Sequence, residues 1–371
     1  MISRFFLILL ITVVLLFPIW ALGTEHGQVK VRSVFFITQV LPQLPSIKLG
    51  QSNPIVSNEK FNIGSDDVTV QIYKPNLNGK HPGIILFLGV SPAANHDPRI
   101  VNLASALTRT GFVTLIYSSQ EIAEGNLNFD DVQKLVGVFK HMQSMEYVDK
   151  DRIGFAGFCV GGSYVLMAAS QPEINDDVAF VNVFASYFNA ESLVRSIATN
   201  SFWNGEEYIK WTPDELTMKT HQEMVLESMT LEDKIIVQNM MSTNGFVFES
   251  EDDYTQTVYE LLTGVTNEEY DSLYDSLPLS MKEKYEEISP STYITNLRSP
   301  VYIMHDKKDD MIPYIQSKDL YEALLNKVDV NYTEFQLFRH LDPDREISPV
   351  NMIIEIKKLY QVINSIIKHS I

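Results

Sequence analysis

Two rhythms of apolar residues run along the body of this chain. Short, nearly continuous apolar runs at 83–88, 112–117, 153–158 and 178–185 read as buried strands, with helix-like stretches between them. That succession predicts parallel crossovers and an α/β class. Another run at 301–305 is followed by a helix around 317–325 and a strand over 332–338. Residues 68–75 alternate apolar with polar, the mark of a half-buried strand, and 62–64 precede them as a second short strand. From 187 to about 298 strand alternation is absent, and helix-type segments such as 218–229 and 253–262 take over. The expected organisation is therefore a core in two parts, 59–186 and 299–371, interrupted by a helical cap at 187–298. About 310 residues beyond position 58 suffice for one large core plus such an insertion.

The N-terminal side divides differently. Residues 5–22, FFLILLITVVLLFPIWAL, form an uncharged run of 18 preceded by Arg4. A secretory apolar region spans about 7 to 15 residues and a membrane-crossing helix about 20, so the run suits either a signal peptide, cleaved near Ala21-Leu22-Gly23, or an uncleaved anchor within 1–23. Positive charge ahead of it would hold the body outside the cytoplasm. Residues 24–58, polar and carrying Pro42, Pro45 and Pro54, read as a linker.

Charge narrows the partners. The chain has 47 Asp and Glu against 29 Lys and Arg, a net −18. Residues 187–300 hold 21 of the acids and only 7 of the bases, so the cap carries most of the imbalance. Such a surface repels nucleic acid, and most of these carboxylates should be a solvated face. The sequence has no Gly-rich phosphate loop, no Cys or His cluster at metal spacing and no dinucleotide turn, so no cofactor is implied. Phe202, Trp203, Tyr208 and Trp211 cluster at the start of the cap, either to line an acyl pocket or to pack the cap on the core.

Candidate chemistry centres on Gly157-Phe158-Cys159-Val160-Gly161-Gly162, where the single cysteine of 371 residues follows a buried-strand pattern and precedes a helical one. A lone thiol forms no intrachain disulfide. Small residues two places before and after a nucleophile suit a tight strand-to-helix turn, because a Cβ there would meet neighbouring backbone. An isolated free cysteine is commonly just a small buried hydrophobe; this glycine frame favours Cys159 as a nucleophile. A cysteine needs a base, and the base needs an orienting acid. Downstream come His305, the aspartates Asp306, Asp309 and Asp310, and His340 after the last strand.

The order nucleophile, acid, histidine resembles that of the α/β-hydrolases, and the Gly-x-Cys-x-Gly turn is most similar to their dienelactone-hydrolase-like branch, over roughly 60–186 and from 291 to the C-terminus. The resemblance implies an α/β-hydrolase fold, a mostly parallel sheet flanked by helices, with the cap inserted. Residues 305–313 are similar to the family's strand-end segment His-Gly-x-x-Asp-x-x-Val-Pro, which places the acid on Asp309, with Asp310 next, and the base on His340, with His305 as its rival. It further implies an oxyanion hole from the N–H groups of Val160 and Val90. The chain departs from the family at Leu88, where histidine is common, and Ser91-Pro92 follows, so a Ser91 hydroxyl is an alternative donor. Asp97 and Pro98 suit the start of a helix, beside which Arg99 either meets a substrate carboxylate or is simply solvated. The function so expected is hydrolysis of an ester, lactone or thioester through an acyl-enzyme. Two other readings are a catalytically silent surface binding protein and an acyltransferase using the same three side chains.

Overall fold

Side chains alternating across β3 (His81–Phe87) explain the layering of the molecule: Ile84 and Leu86 join the apolar cluster on one face, Ile85 and Phe87 the cluster on the other. All seven residues of this strand are buried, as are all five of β4 (Val113–Tyr117), which is why both read as continuous apolar runs. The computed structural model describes residues 20–21, 23–47, 53–90, 97–242, 253–343 and 345–371. The remaining strands of the main sheet are β1 (Ile55–Ile63), β2 (Asp66–Lys74), β5 (Val148–Phe158), β6 (Val178–Phe184), β9 (Val301–Asp306) and β10 (Val330–Phe335). Their order is β1-β2-β4-β3-β5-β6-β9-β10, antiparallel at β1, β2 and β4 and parallel from there on.

Helices cover both faces. On one lie α1 (Glu25–Val40), α2 (Pro98–Arg109) and, at the C-terminus, α12 (Pro349–Ile367). On the other lie α3 (Asp130–Ser144), α4 (Val160–Ala169) and α11 (Ile315–Leu324). The start of α2 is as the sequence implies: the Asp97 side chain accepts from the Arg99 N–H and Pro98 occupies the first turn.

The expected linker at 24–58 is corrected. Its first part is the 16-residue helix α1, and its end is the start of β1. Val29, Ser33, Phe36 and Ile37 recur at helical spacing and are buried against α12 and α2. Arg32 Nη1 donates to the Thr110 carbonyl at 2.6 Å, and Arg109 Nη1 to Gln39 Oε1 at 2.9 Å. All three prolines of the segment fall after the helix has ended. The apolar run at 5–22, apart from Trp20 and Ala21, lies outside the described residues; among those described, no helix is long and apolar enough to cross a membrane.

Between β6 and β9 stand α5 (Ala190–Thr199), α6 (Glu215–Glu227), α7 (Leu231–Ser242), α8 (Asp253–Thr263), α9 (Asn267–Ser276) and α10 (Leu279–Glu287). Their buried residues, among them Val237, Val258, Leu261, Tyr270 and Tyr285, continue the apolar cluster on that face of the sheet. One hairpin interrupts the helices, β7 (Ser201–Trp203) with β8 (Tyr208–Lys210). Three residues per strand are too few for alternation to show in the sequence.

The turn from β5 into α4 packs backbone against backbone. A Cβ at Gly161 would lie 2.6 Å from both the Leu88 carbonyl carbon and the Phe87 carbonyl oxygen, and one at Gly157 would lie 2.5 Å from Gly162 Cα. Backbone cannot move aside as a side chain can. Gly161→Ala should therefore lower stability by about 3 kcal/mol, read as a fall in thermal midpoint. Gly83→Ala, whose new methyl would meet the flexible end of Met142 at 2.7 Å, should lower it by less than half as much. Equal losses would contradict this account of the turn.

Candidate active site

Strand β5 ends at Phe158, and Cys159 then takes φ 56° and ψ −135°, a conformation that side-chain-bearing residues rarely adopt. Its N–H donates to the Phe184 carbonyl at 2.9 Å and its carbonyl accepts from Gly162 at 2.9 Å, so the strained residue is pinned from both sides. The helix α4 begins at once with Val160, directing its first-turn N–H groups to this end of the sheet. Cys159 is largely buried, 9% exposed, and lines the cavities described below.

Asp309 sits in the loop after β9, with its side chain fully enclosed. Oδ1 accepts from the N–H of Met311 at 2.8 Å and of Ile312 at 3.0 Å, and Oδ2 lies 2.8 Å from His340 Nδ1. The neighbouring aspartates do other work. Asp306 accepts from the N–H of Lys308 and of Phe338, both at 2.9 Å, and so ties the acid loop to the segment leading to His340. Asp310 faces Arg339 at 3.8 Å. His305, the rival histidine, is also fully buried: Nδ1 is 2.7 Å from Ser317 Oγ and Nε2 2.9 Å from the Ile312 carbonyl. A carbonyl only accepts, so Nε2 carries the proton, and that N–H also points towards Asp309 Oδ2 at 3.5 Å. Both ring nitrogens of His305 are thus engaged within the loop.

His340 has φ 53° in a turn closed by Arg339 N–H to the Asp342 carbonyl at 2.7 Å. With Nδ1 donating to Asp309, Nε2 is the nitrogen left over, and it is buried without a hydrogen-bond partner among the described residues. Burial by itself penalises the imidazolium, but attraction to Asp309 and to the nearby Cys159 outweighs it and raises His340 well above the ordinary imidazole range. For Asp309 burial favours the neutral acid, and the charge of His340 with the hydrogen bonds of His305 and His340 reverses this, holding the carboxyl well below its usual range. Cys159, Asp309 and His340 are thus brought together at the C-terminal edge of the sheet.

The loop after β3 passes directly over the turn. A Cβ at Gly89 would lie 2.9 Å from Cys159 Cβ and 3.0 Å from the Val160 nitrogen, so only glycine lets this backbone approach so closely. Val90, next along, lines the cavity with Cys159 and Val160. Ser91 and Pro92 lie outside the described residues.

Two spaces meet at the cysteine. One is an apolar cavity of about 70 Å³ beneath the cap, lined by Cys159, Val160, Val90 and residues of α5 and α6. The other is a wider cleft that includes His340, Asp342, Arg339 and Arg99. Arg99 is 64% exposed and already paired with Asp97 and Asp342, as a solvated arginine at a helix start would be. Of the aromatic cluster, Phe202 and Trp211 pack with Ile197 and Ile315, while Trp203 and Tyr208 stand half exposed against each other on the hairpin. None of the four lines the apolar cavity.

Sequence reasoning passed over several contributors. Gly89, Asp306 and the indole of Trp211, whose Nε1 donates to the Asp309 carbonyl at 2.8 Å, all support the site. The Asp214 N–H to the Asp310 carbonyl, 2.8 Å, and Thr217 Oγ1 to the Met311 carbonyl, 3.0 Å, continue that seam between cap and acid loop. In the sequence Gly89 shows only as a glycine ending an apolar run, Asp306 as a neighbour of Asp309 and Trp211 as one of the cap's aromatic residues.

Comparison with known proteins bears on the family and the fold. A family model described as BD-FAE matches residues 70–324. Over 123 residues the chain is 30% identical to a probable 2-oxo-3-(5-oxofuran-2-ylidene)propanoate lactonase of Bradyrhizobium sp., covering 29% of this chain and 48% of that protein. An uncharacterized 31.7 kDa protein of Escherichia coli is 27% identical over 115 residues, 29% of this chain and 40% of its own length. The chain thus spans about half or less of the curated relatives it matches. Among solved structures, the acylaminoacyl peptidase of Pyrococcus horikoshii superposes with a TM-score of 0.50 at 14% identity, over 84% of this chain and 40% of that one. A 2,6-dihydroxy-pseudo-oxynicotine hydrolase does so with a TM-score of 0.50 at 14% identity, over 84% and 68%. The two structural likenesses show the α/β-hydrolase fold and no particular branch of it. With its family match spanning most of the sheet and the whole of the cap, the chain belongs to the BD-FAE family and has the α/β-hydrolase fold.

Proposed function

We propose that this chain hydrolyses ester-type bonds of small molecules, whether ester, lactone or thioester, with Cys159 as nucleophile, His340 as base and Asp309 as its orienting acid. One observation carries the reading: a cysteine in a strained turn beside a buried imidazole whose Nε2 has no hydrogen-bond partner among the described residues and whose Nδ1 is held by a carboxylate at 2.8 Å. In this mechanism His340 Nε2 takes the thiol proton and the Cys159 sulfur attacks the carbonyl carbon. The N–H groups of Val160 and Val90 hold the developing oxyanion. As the tetrahedral species collapses, the carbon–oxygen bond breaks and His340 gives its proton to the departing alcohol. Water, deprotonated by the same ring, then attacks the thioester and releases the acid and the thiol.

The lactonase similar to this chain over 123 residues supports an ester-type bond. Dienelactone-hydrolase-like chemistry through cysteine belongs to the same proposal and rests on the glycine-framed turn. So does a body held outside the cytoplasm, anchored or released, which rests on the uncharged run at 5–22.

With p-nitrophenyl esters of graded chain length, Cys159→Ala should lower kcat/KM by roughly a thousandfold or more, and an acyl adduct seen by intact mass in the wild type should be absent from Cys159→Ala. Unchanged turnover in Cys159→Ala would remove the nucleophile from the proposal.

The acid–base pair makes a separate prediction in pH. Asp309, depressed on folding, stabilises the fold above the ordinary carboxylate range of about pH 4, and that contribution fades as pH falls through its folded titration. His340, raised on folding, contributes fully below its ordinary pKa of about 6.5 and loses the contribution as pH rises through its folded value. The thermal-midpoint gap between the wild type and Asp309→Asn should therefore be widest between about pH 5 and 6.5 and narrow on either side. A gap that widens as pH rises above neutrality would contradict the pairing.

A further inference from the structure

The apolar cavity beneath the cap holds one buried polar side chain that nothing among the described residues satisfies. His221, on α6, is 5% exposed, and both of its ring nitrogens lack a hydrogen-bond partner among the described residues. It lines the same cavity as Cys159, among Leu193, Ile197, Leu216, Met224 and Ile288. Neutral imidazole has one donor and one acceptor, and leaving both unmade in a buried place is costly enough that native proteins rarely do so without a reason. Burial pushes His221 down to about 4, so the ring is neutral at ordinary pH and offers hydrogen bonds rather than charge.

Which half of a substrate meets His221 follows from the general acid. His340 must reach the leaving group, and His340 lines the wider cleft but not the apolar cavity. The leaving group therefore lies on the cleft side, and the acyl portion enters the cavity beneath the cap. Its space of about 70 Å³ suits a short acyl chain.

We propose that His221 sets specificity in this acyl chamber, and that the substrates carry a hydroxyl or carbonyl on a short, otherwise apolar acyl portion, where the imidazole hydrogen-bonds it. This rests on the assignment of Cys159 and His340 for its orientation, but the recognition itself can be measured without turnover.

The probes are an isosteric pair, p-nitrophenyl 3-hydroxybutanoate and p-nitrophenyl 3-methylbutanoate, which differ by a hydroxyl in place of a methyl. For the wild type kcat/KM should favour the hydroxylated ester, and His221→Phe should lower that preference by roughly tenfold or more. His221→Gln, which keeps a donor and an acceptor, should retain part of the preference, and thermal midpoints report whether each variant is folded. Binding of the same two esters to Cys159→Ala and to Cys159→Ala/His221→Phe, measured by calorimetry, reads recognition alone. Loss of the hydroxyl preference in the double variant supports the assignment even if no turnover occurs anywhere, a result that would count against the hydrolase and not against His221. Equal affinity of the two esters for Cys159→Ala, or an equal loss for both on substituting His221, would overturn it.

Discussion

The hydrogen bond between Asp309 Oδ2 and His340 Nδ1, 2.8 Å long, is the contact on which the site depends, because it fixes the orientation of the imidazole. Both groups are buried, and a buried charge without a partner is strongly unfavourable. The structure answers by supplying donors. Asp309 receives two backbone N–H groups from its own loop, the His340 imidazole and, farther off, His305, so its charge is retained without water. Asp306 then fixes the distance between the loops: it accepts from Lys308 on one and Phe338 on the other, while Arg345 donates to the Phe338 carbonyl at 3.0 Å and to the Lys308 carbonyl at 3.2 Å. Once both loops are held, Nδ1 is committed to the acid, and Nε2 can face only inward, where Cys159 is.

Strain gathers at the same edge. Cys159 and His340 both have positive φ, at 56° and 53°, conformations that cost of order 1–3 kcal/mol each and persist only where surrounding contacts fix them. For Cys159 those contacts are the hydrogen bonds to Phe184 and Gly162 and the close packing of Gly157, Gly161 and Gly89. The glycines and the strain have one origin. A residue lifted out of the sheet must pass between two stretches of backbone, and only positions without Cβ leave the gap.

Much of this was legible in the sequence because its physical cause is local. Strands buried on both faces need unbroken apolar runs, an N-cap needs a residue like Asp97, and a tight turn needs its glycines two places either side. The helix α1 was read as linker because Glu25, Lys30 and Arg32 mask its stripe and the later prolines draw the eye, although Val29, Phe36 and Ile37 sit at helical spacing. Asp306 could not be told from an ordinary turn aspartate, since its defining partner, Phe338, is 32 residues away. The aromatic cluster in the cap illustrates the same limit: composition marks Phe202 and Trp211 as buried, but their neighbours, Tyr314, Ile315 and the Asp309 carbonyl, come from another part of the chain.

That last contact changes how the cap is understood. Trp211, Asp214 and Thr217 hydrogen-bond to the backbone of Asp309, Asp310 and Met311 in turn, so the entry to the cap is stitched to the loop that carries the acid. Displacing α6 together with the segment 211–214 that leads into it would break all three bonds and pull on Asp309 itself, disturbing the one contact the imidazole needs. The stitched part of the cap is therefore scaffold. Leu216, Thr217, Thr220, His221 and Met224, the α6 residues that line the acyl cavity, belong to this fixed part, so the shape of the cavity and the orientation of the acid are set by the same short stretch of chain. The acidic surface of the cap can vary without touching either, because its carboxylates are for the most part exposed on the far sides of helices whose inner faces do the positioning.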